Sequence, residues 1–143
     1  MGNFMTRYQL AVLLFSGLCL QSISTAQTKT IWAGVYSSEQ AARGEIIYNT
    51  ACIACHGKDL GGNSNSPGLA GMGFMFLWEG RTLGTFFEKI QENMPTDRPG
   101  KLPAQDYVDV VSYIMQANAF PNGDNELPKD LDALNDIAIT ARP

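Results

Sequence analysis

Apolar residues recur at helical spacing in three stretches of this chain. Leu83, Phe86, Phe87 and Ile90 stand at i, i+3, i+4 and i+7, with Glu88, Lys89, Gln91 and Glu92 on the other side. Thr82 is placed to cap that helix and Met94-Pro95 to close it, because the residue before a proline is pushed out of the helical region. Tyr107, Val110, Val111, Ile114 and Met115 form a second stripe, with Asp106, Asp109, Ser112 and Gln116 facing outward and Pro103 in the first turn. Earlier, Ser37-x-x-Gln40 has the form of a capping box and opens a helix over about residues 39–50. Gly44 and Tyr48 then share one face. A glycine inside a helix costs about 1 kcal/mol relative to alanine, so Gly44 reads either as a point of close helix crossing or as a tolerated defect.

Between these helices the pattern breaks. Residues 57–73 are rich in glycine, asparagine and serine, and Gly61-Gly62-Asn63-Ser64-Asn65-Ser66-Pro67-Gly68 is too turn-prone for regular structure. Phe74-Met75-Phe76-Leu77-Trp78 is a dense apolar cluster, either a short strand of an ordinary core or the dry wall around a buried group. An apolar arm, Ile31 to Tyr36, precedes the first helix and is too short to be more than a segment packed on the rest. From Asn118 on the chain is an acidic tail with Pro121, Gly123 and Pro128, in which Leu131, Leu134 and Ile137 suggest a short helix docked weakly on the body. Three amphipathic helices and almost no strand-like alternation predict an all-α fold. The expected division is an arm over 27–36, one domain over 37–118 and an extension over 119–143.

The first 26 residues read as a secretory signal peptide. Arg7 is their only charge, the apolar run Leu10 to Leu20 follows it, and Ser24-Thr25-Ala26 offers small residues for cleavage. The run is shorter than the roughly 20 residues a membrane span needs, so no stable membrane insertion is expected after cleavage. Export implies a periplasmic location and removes Cys19, leaving Cys52 and Cys55 as the last pair. Loss of Arg7 takes the net charge from −4 to −5. That acidic balance argues against nucleic acid as a partner and shows no basic membrane-binding face.

Those two cysteines lie in Cys52-Ile53-Ala54-Cys55-His56, a C-x-x-C-H run, which is the attachment signal of a c-type haem. Two cysteines three apart sit about one helical turn from each other, so their sulfurs can reach two vinyl groups on one porphyrin edge. His56 would then lie beneath the iron as its axial ligand. Structural zinc would want four ligands, and after export the chain has two cysteines and one histidine. A thioredoxin-like redox pair belongs in a βαβ context, which is not visible. One covalent haem c is therefore expected.

His56 is the only histidine, so a second histidine ligand from this chain is excluded. Met72, Met75, Met94 and Met115 survive export. Met115 falls in an apolar stripe, as a core gap-filler would. Met94 stands at a helix end fixed by Pro95 and far enough downstream to reach the other haem face; it is the expected sixth ligand, with Met75 its rival. His/Met ligation with both faces filled suits electron transfer, not catalysis, and predicts an electron carrier, not an enzyme. The contrary possibility is an open sixth site with peroxidase-like or gas-binding chemistry.

Cys52-x-x-Cys55-His56, Pro67-Gly68-Leu69, Met94-Pro95 and the terminal helix around Tyr107 to Tyr113 together resemble a class I (monohaem) cytochrome c over about residues 37–118. The resemblance implies a helical shell whose N- and C-terminal helices cross beside the haem, which favours close crossing at Gly44 and Tyr48 with Tyr113 as aromatic partner. It also implies that the Pro67 carbonyl accepts from His56 Nδ1–H, fixing the ligand's tautomer. Pro103 stands where related sequences often carry a capping Ser or Asp, which leaves the start of that helix open. Trp32-Ala33-Gly34-Val35-Tyr36, Trp78-Glu79-Gly80-Arg81-Thr82 and Ala119-Phe120-Pro121 are similar to cytochromes associated with quinoprotein (PQQ-dependent) dehydrogenases. That similarity implies redox partner proteins: a quinoprotein dehydrogenase as donor, a terminal oxidase or other cytochrome as acceptor, or a fixed place as subunit of a dehydrogenase complex. It also implies that Trp78 and Arg81 contact the haem or its propionates, the alternative for Arg81 being a solvated charge near Glu79.

Overall fold

The structure, a computed structural model, describes residues 28–143. The expected signal segment, with Cys19, lies outside the described residues. Among the described residues the order is β1 (Lys29–Thr30), a 3₁₀ turn (Ile31–Ala33), α1 (Ser38–Ala51), α2 (Ile53–His56), α3 (Gly71–Trp78), α4 (Leu83–Asn93), α5 (Ala104–Ala117), α6 (Leu131–Asn135) and β2 (Ile137–Ala138). The fold is all-α, with one two-residue parallel pairing that sets Lys29 against Ile137 and Thr30 against Ala138. No described helix is long and apolar enough to cross a membrane.

Ser37 caps α1 as expected, its hydroxyl accepting from Gln40 N at 3.1 Å. The reciprocal half of the capping box is not made. Gln40 is fully buried and turns its amide to the tail instead, donating to Leu127 O at 3.0 Å and accepting from Leu127 N at 2.7 Å. α1 crosses α5 at Gly44, where an added Cβ would collide with the Asp109 carbonyl and come within 3.0 Å of Tyr113 Cβ. The Tyr48 and Tyr113 rings meet beside it with centroids 5.3 Å apart. The glycine is there because two backbones need the space.

Three outward-facing or loosely docked assignments are corrected by the packing. Asp109 and Ser112 are buried, not exposed. Asp109 can be buried because Arg43 grips both its oxygens, at 2.8 and 3.1 Å, and Gln105 donates at 2.7 Å; Ser112 returns its hydroxyl to Val108 O. The tail is not weakly docked: Phe120, Leu127, Leu134, Ile137 and Ile139 all belong to the single core. Helix α6 holds Leu131 and Leu134, while Ile137 has passed into β2. Pro103 is the N-cap of α5, one residue outside the helix, with no side-chain cap.

This tail positions the site. Ile139 donates to Arg81 O at 2.8 Å and accepts from Gly80 N at 2.9 Å, so the turn between α3 and α4 is clamped from below. Thr82 accepts from Thr85 N to start α4, as expected, and α4 ends at Asn93 with Met94 in extended conformation.

Candidate cofactor site

The motif folds as one tight turn. Cys52 O accepts from both Cys55 N (3.2 Å) and His56 N (3.0 Å), which places two sulfurs and an imidazole on a single short helix. The carbonyls that α2 leaves free are met by the following loop: Asn63 Nδ2 donates to Cys55 O at 2.8 Å and Gly62 N to His56 O at 2.9 Å. Gly62 has φ +72, and a Cβ there would collide with the Ser66 carbonyl, so this return requires glycine. Tyr48, from the end of α1, donates its hydroxyl to Gly57 O at 2.7 Å. The glycine-rich segment is thus a hydrogen-bonded wrap.

His56 is buried, and its Nδ1 lies 3.0 Å from Pro67 O. A carbonyl can only accept, so Nδ1 carries a proton, and in the neutral ring the lone pair is on Nε2. The two cysteines form no disulfide. Burial pushes Cys52 up to about 11, with the neighbouring Cys55 adding to the rise and the Arg98 guanidinium opposing it; at neutral pH the thiol is protonated.

A cavity of about 830 Å³ opens over this turn. It lies within the roughly 300–1,000 Å³ of cofactor and small-molecule pockets. Cys52, Cys55, His56 and Pro67 form one part of its lining, and Met94 and Pro95 enter it from the end of α4. Leu69 supplies apolar wall, as do Phe86, Ile90, Val110 and Ile114, which the hydrophobic pattern assigned only to helix stripes. Arg81, Lys89 and Arg98 also line it, and the Arg81 guanidinium sits 5.7 Å from the Trp78 ring centroid. Lys89 and Arg98 carried no signal in the sequence, since their approach depends on how α4 and the following loop pack.

The expected apolar wall at 74–78 is only partly one. These residues form α3, not a strand; Phe74 turns into the core, Leu77 and Trp78 line the cavity, and Phe76 is 89% exposed. An eight-residue helix has faces all round, and only one can point at the cavity. Met75 opens on a separate cleft with Met72, Trp32 and Phe120, and Met115 is buried in the core.

The donor set suits a group that brings its metal already coordinated. Among the described residues no three His, Cys, Asp or Glu side chains are grouped to hold an ion. A haem iron, with four porphyrin nitrogens, asks the chain for at most two axial ligands. One imidazole with its other nitrogen fixed, one thioether, two thiols at attachment spacing and an apolar cavity fit that demand.

A helical shell of this kind around a C-x-x-C-H turn defines a monohaem c-type cytochrome. Residues 39–114, more than half the chain, match the family described as "Cytochrome C oxidase, cbb3-type, subunit III", and the chain belongs to that family. No curated protein matches it significantly. The chain is similar to one in the crystal structure of the sulfane dehydrogenase SoxCD from Paracoccus pantotrophus, with 19% identity and a TM-score of 0.47 over 85% of this chain. The match spans 61% of that chain, less than two thirds of its length. Membership of a cytochrome c family implies haem c and haem-based electron transfer.

Proposed function

We propose that the protein is an exported, periplasmic one-electron carrier. In this reading residues 1–26 direct export, one haem c is joined through thioethers at Cys52 and Cys55, and His56 and Met94 are the axial ligands. The observation that carries it is that Met94 lines the same cavity as Cys52, Cys55 and His56, whereas Met75 lines a different one. When bound, haem c would supply reversible Fe(III)/Fe(II) exchange, and a methionine ligand beside the histidine would raise its potential.

The chain's own residues supply the rest. Pro67 holds the proton on Nδ1 and keeps Nε2 a donor. Ile90, Val110 and Ile114 line the cavity with apolar surface that would face the porphyrin. Arg81 and Arg98 carry positive charge that can face propionates, and Trp78 supports Arg81. The electron donor in this proposal is a dehydrogenase of the quinoprotein class, met in brief encounters, and the acceptor a terminal oxidase or another cytochrome. Similarity of the flanking Trp78 to Thr82 and Ala119 to Pro121 segments supports that partner class.

Optical spectra of the oxidised protein test the ligand set. The methionine-to-iron charge-transfer band is expected in wild type and in Met75→Ala, and is expected to vanish in Met94→Ala. Its survival in Met94→Ala would overturn the assignment, and its absence from wild type would favour the open-site reading. Haem retained on the chain after acid denaturation tests the thioether bonds.

A further inference from the structure

The loop from Met94 to Leu102 carries the proposed sixth ligand and is loosely tied. Residues 96–101 are all exposed. Inside it, Arg98 N donates to Pro95 O and Lys101 N to Arg98 O, both local turns. One side chain bonds both of its ends. Tyr107, 1% exposed on the first turn of α5, donates its hydroxyl to Met94 O at 2.8 Å and accepts from Leu102 N at 3.3 Å. The same oxygen thus closes the base of the loop and fixes the backbone of Met94 to the terminal helix.

We infer that Tyr107 is a positioning residue for the methionine ligand: its hydroxyl staples the loop and sets how often Met94 leaves the iron. This rests on the reading of Met94 as ligand. A phenol is suited to the task because one oxygen donates and accepts at once, and its ring is anchored in the core. Phenylalanine keeps the ring and loses both bonds, leaving Met94 O and Leu102 N–H without their partner.

The test is the rate at which imidazole replaces the sixth ligand in the ferric holoprotein, measured at saturating imidazole, where departure of the methionine is limiting. Tyr107→Phe is expected to raise that limiting rate about tenfold, the factor that corresponds to about 1.4 kcal/mol. Tyr36→Phe is the control: it removes a buried phenol from another carbonyl, Phe120 O at 2.6 Å, remote from the loop. It is expected to lower global stability without changing the rate. An unchanged rate in Tyr107→Phe, or an equal rise in Tyr36→Phe, overturns the inference. Failure of the ligand reading shows separately, as a charge-transfer band missing from wild type or surviving in Met94→Ala, and takes the inference with it. If Tyr107→Phe does not load haem, amide hydrogen exchange on wild-type holoprotein decides: Leu102 N–H is expected to be protected, and exchange as fast as at Thr96 overturns the staple.

Discussion

The two sides of the cavity are built to different standards. On the histidine side every turn is tied to the next: Tyr48 to Gly57 O, Asn63 to Cys55 O, Gly62 to His56 O, His56 to Pro67 O and Leu69 N to Leu60 O. Asn118, at the end of α5, adds bonds to Leu69 O and Gly71 N. On the methionine side Met94 N bonds back to Ile90 O, the exposed loop beyond it holds only local turns, and one phenol joins its two ends. Local opening free energy follows the density of such ties. The histidine should leave only when most of the domain unfolds, and the methionine well before. In the proposed ligand set, one haem ligand is therefore part of the scaffold and the other is part of a loop.

Two glycines sharpen that contrast, and they carry the largest effect. Gly62 and Gly100 both have left-handed backbones, at φ +72 and +70. A Cβ at Gly62 meets the Ser66 carbonyl, whereas at Gly100 its nearest neighbour is Gln91 O at 3.7 Å. Gly62→Ala is expected to lower the unfolding free energy of the holoprotein by about 3 kcal/mol, combining backbone strain with overpacking. Gly100→Ala should cost about 1 kcal/mol, the strain alone. Urea titration followed at the haem band measures both, and equal losses would erase the distinction. A smaller effect comes next. Asn63 holds three bonds, donating to Cys55 O and accepting from Asn65 N and Ser66 N. Its replacement by alanine should cost about 1–2 kcal/mol by the same titration, with no change in the rate of imidazole entry, because the loosened turn lies on the histidine side.

The histidine side was also the more legible in sequence. Cys52, Cys55 and His56 announce themselves by spacing, and Gly44 by being a glycine inside a helix. What stayed hidden depends on partners far along the chain. Asp109 reads as surface because carboxylates usually are; Arg43, 66 positions away, is what lets it be buried. Gln40 reads as a capping partner, but Leu127, 87 positions away, claims it. The tail reads as weakly attached because its apolar residues are sparse, yet those few lie in the core and clamp Arg81. Tyr107 reads as one member of an apolar stripe; a periodicity argument counts its ring and is blind to its hydroxyl.

The smallest effect separates the two phenols that serve the site. Burial pushes Tyr48 up to about 12 from an ordinary value of 10.0, with charge on Tyr113 and Asp59, and on Cys52 while it is an unattached thiol, adding to the rise. Burial likewise raises Tyr113 and Tyr36. In each case the folded state holds the phenolic proton more tightly than the unfolded chain does. Their contribution is fully present below pH 10.0 and is lost as the pH rises through the folded value of about 12 for Tyr48. Unfolding free energy should thus be insensitive to these groups at neutral pH and fall between pH 10.0 and about 12. Tyr48→Phe should cost about 1 kcal/mol at neutral pH through the lost bond to Gly57 O, and should make the alkaline fall shallower, leaving the share due to Tyr113 and Tyr36. An unchanged slope in Tyr48→Phe would show that its proton is not what the histidine side holds so tightly. The limiting rate of imidazole entry at neutral pH should stay at the wild-type value in this variant, because the bond removed ties α1 to the motif and leaves the methionine loop untouched.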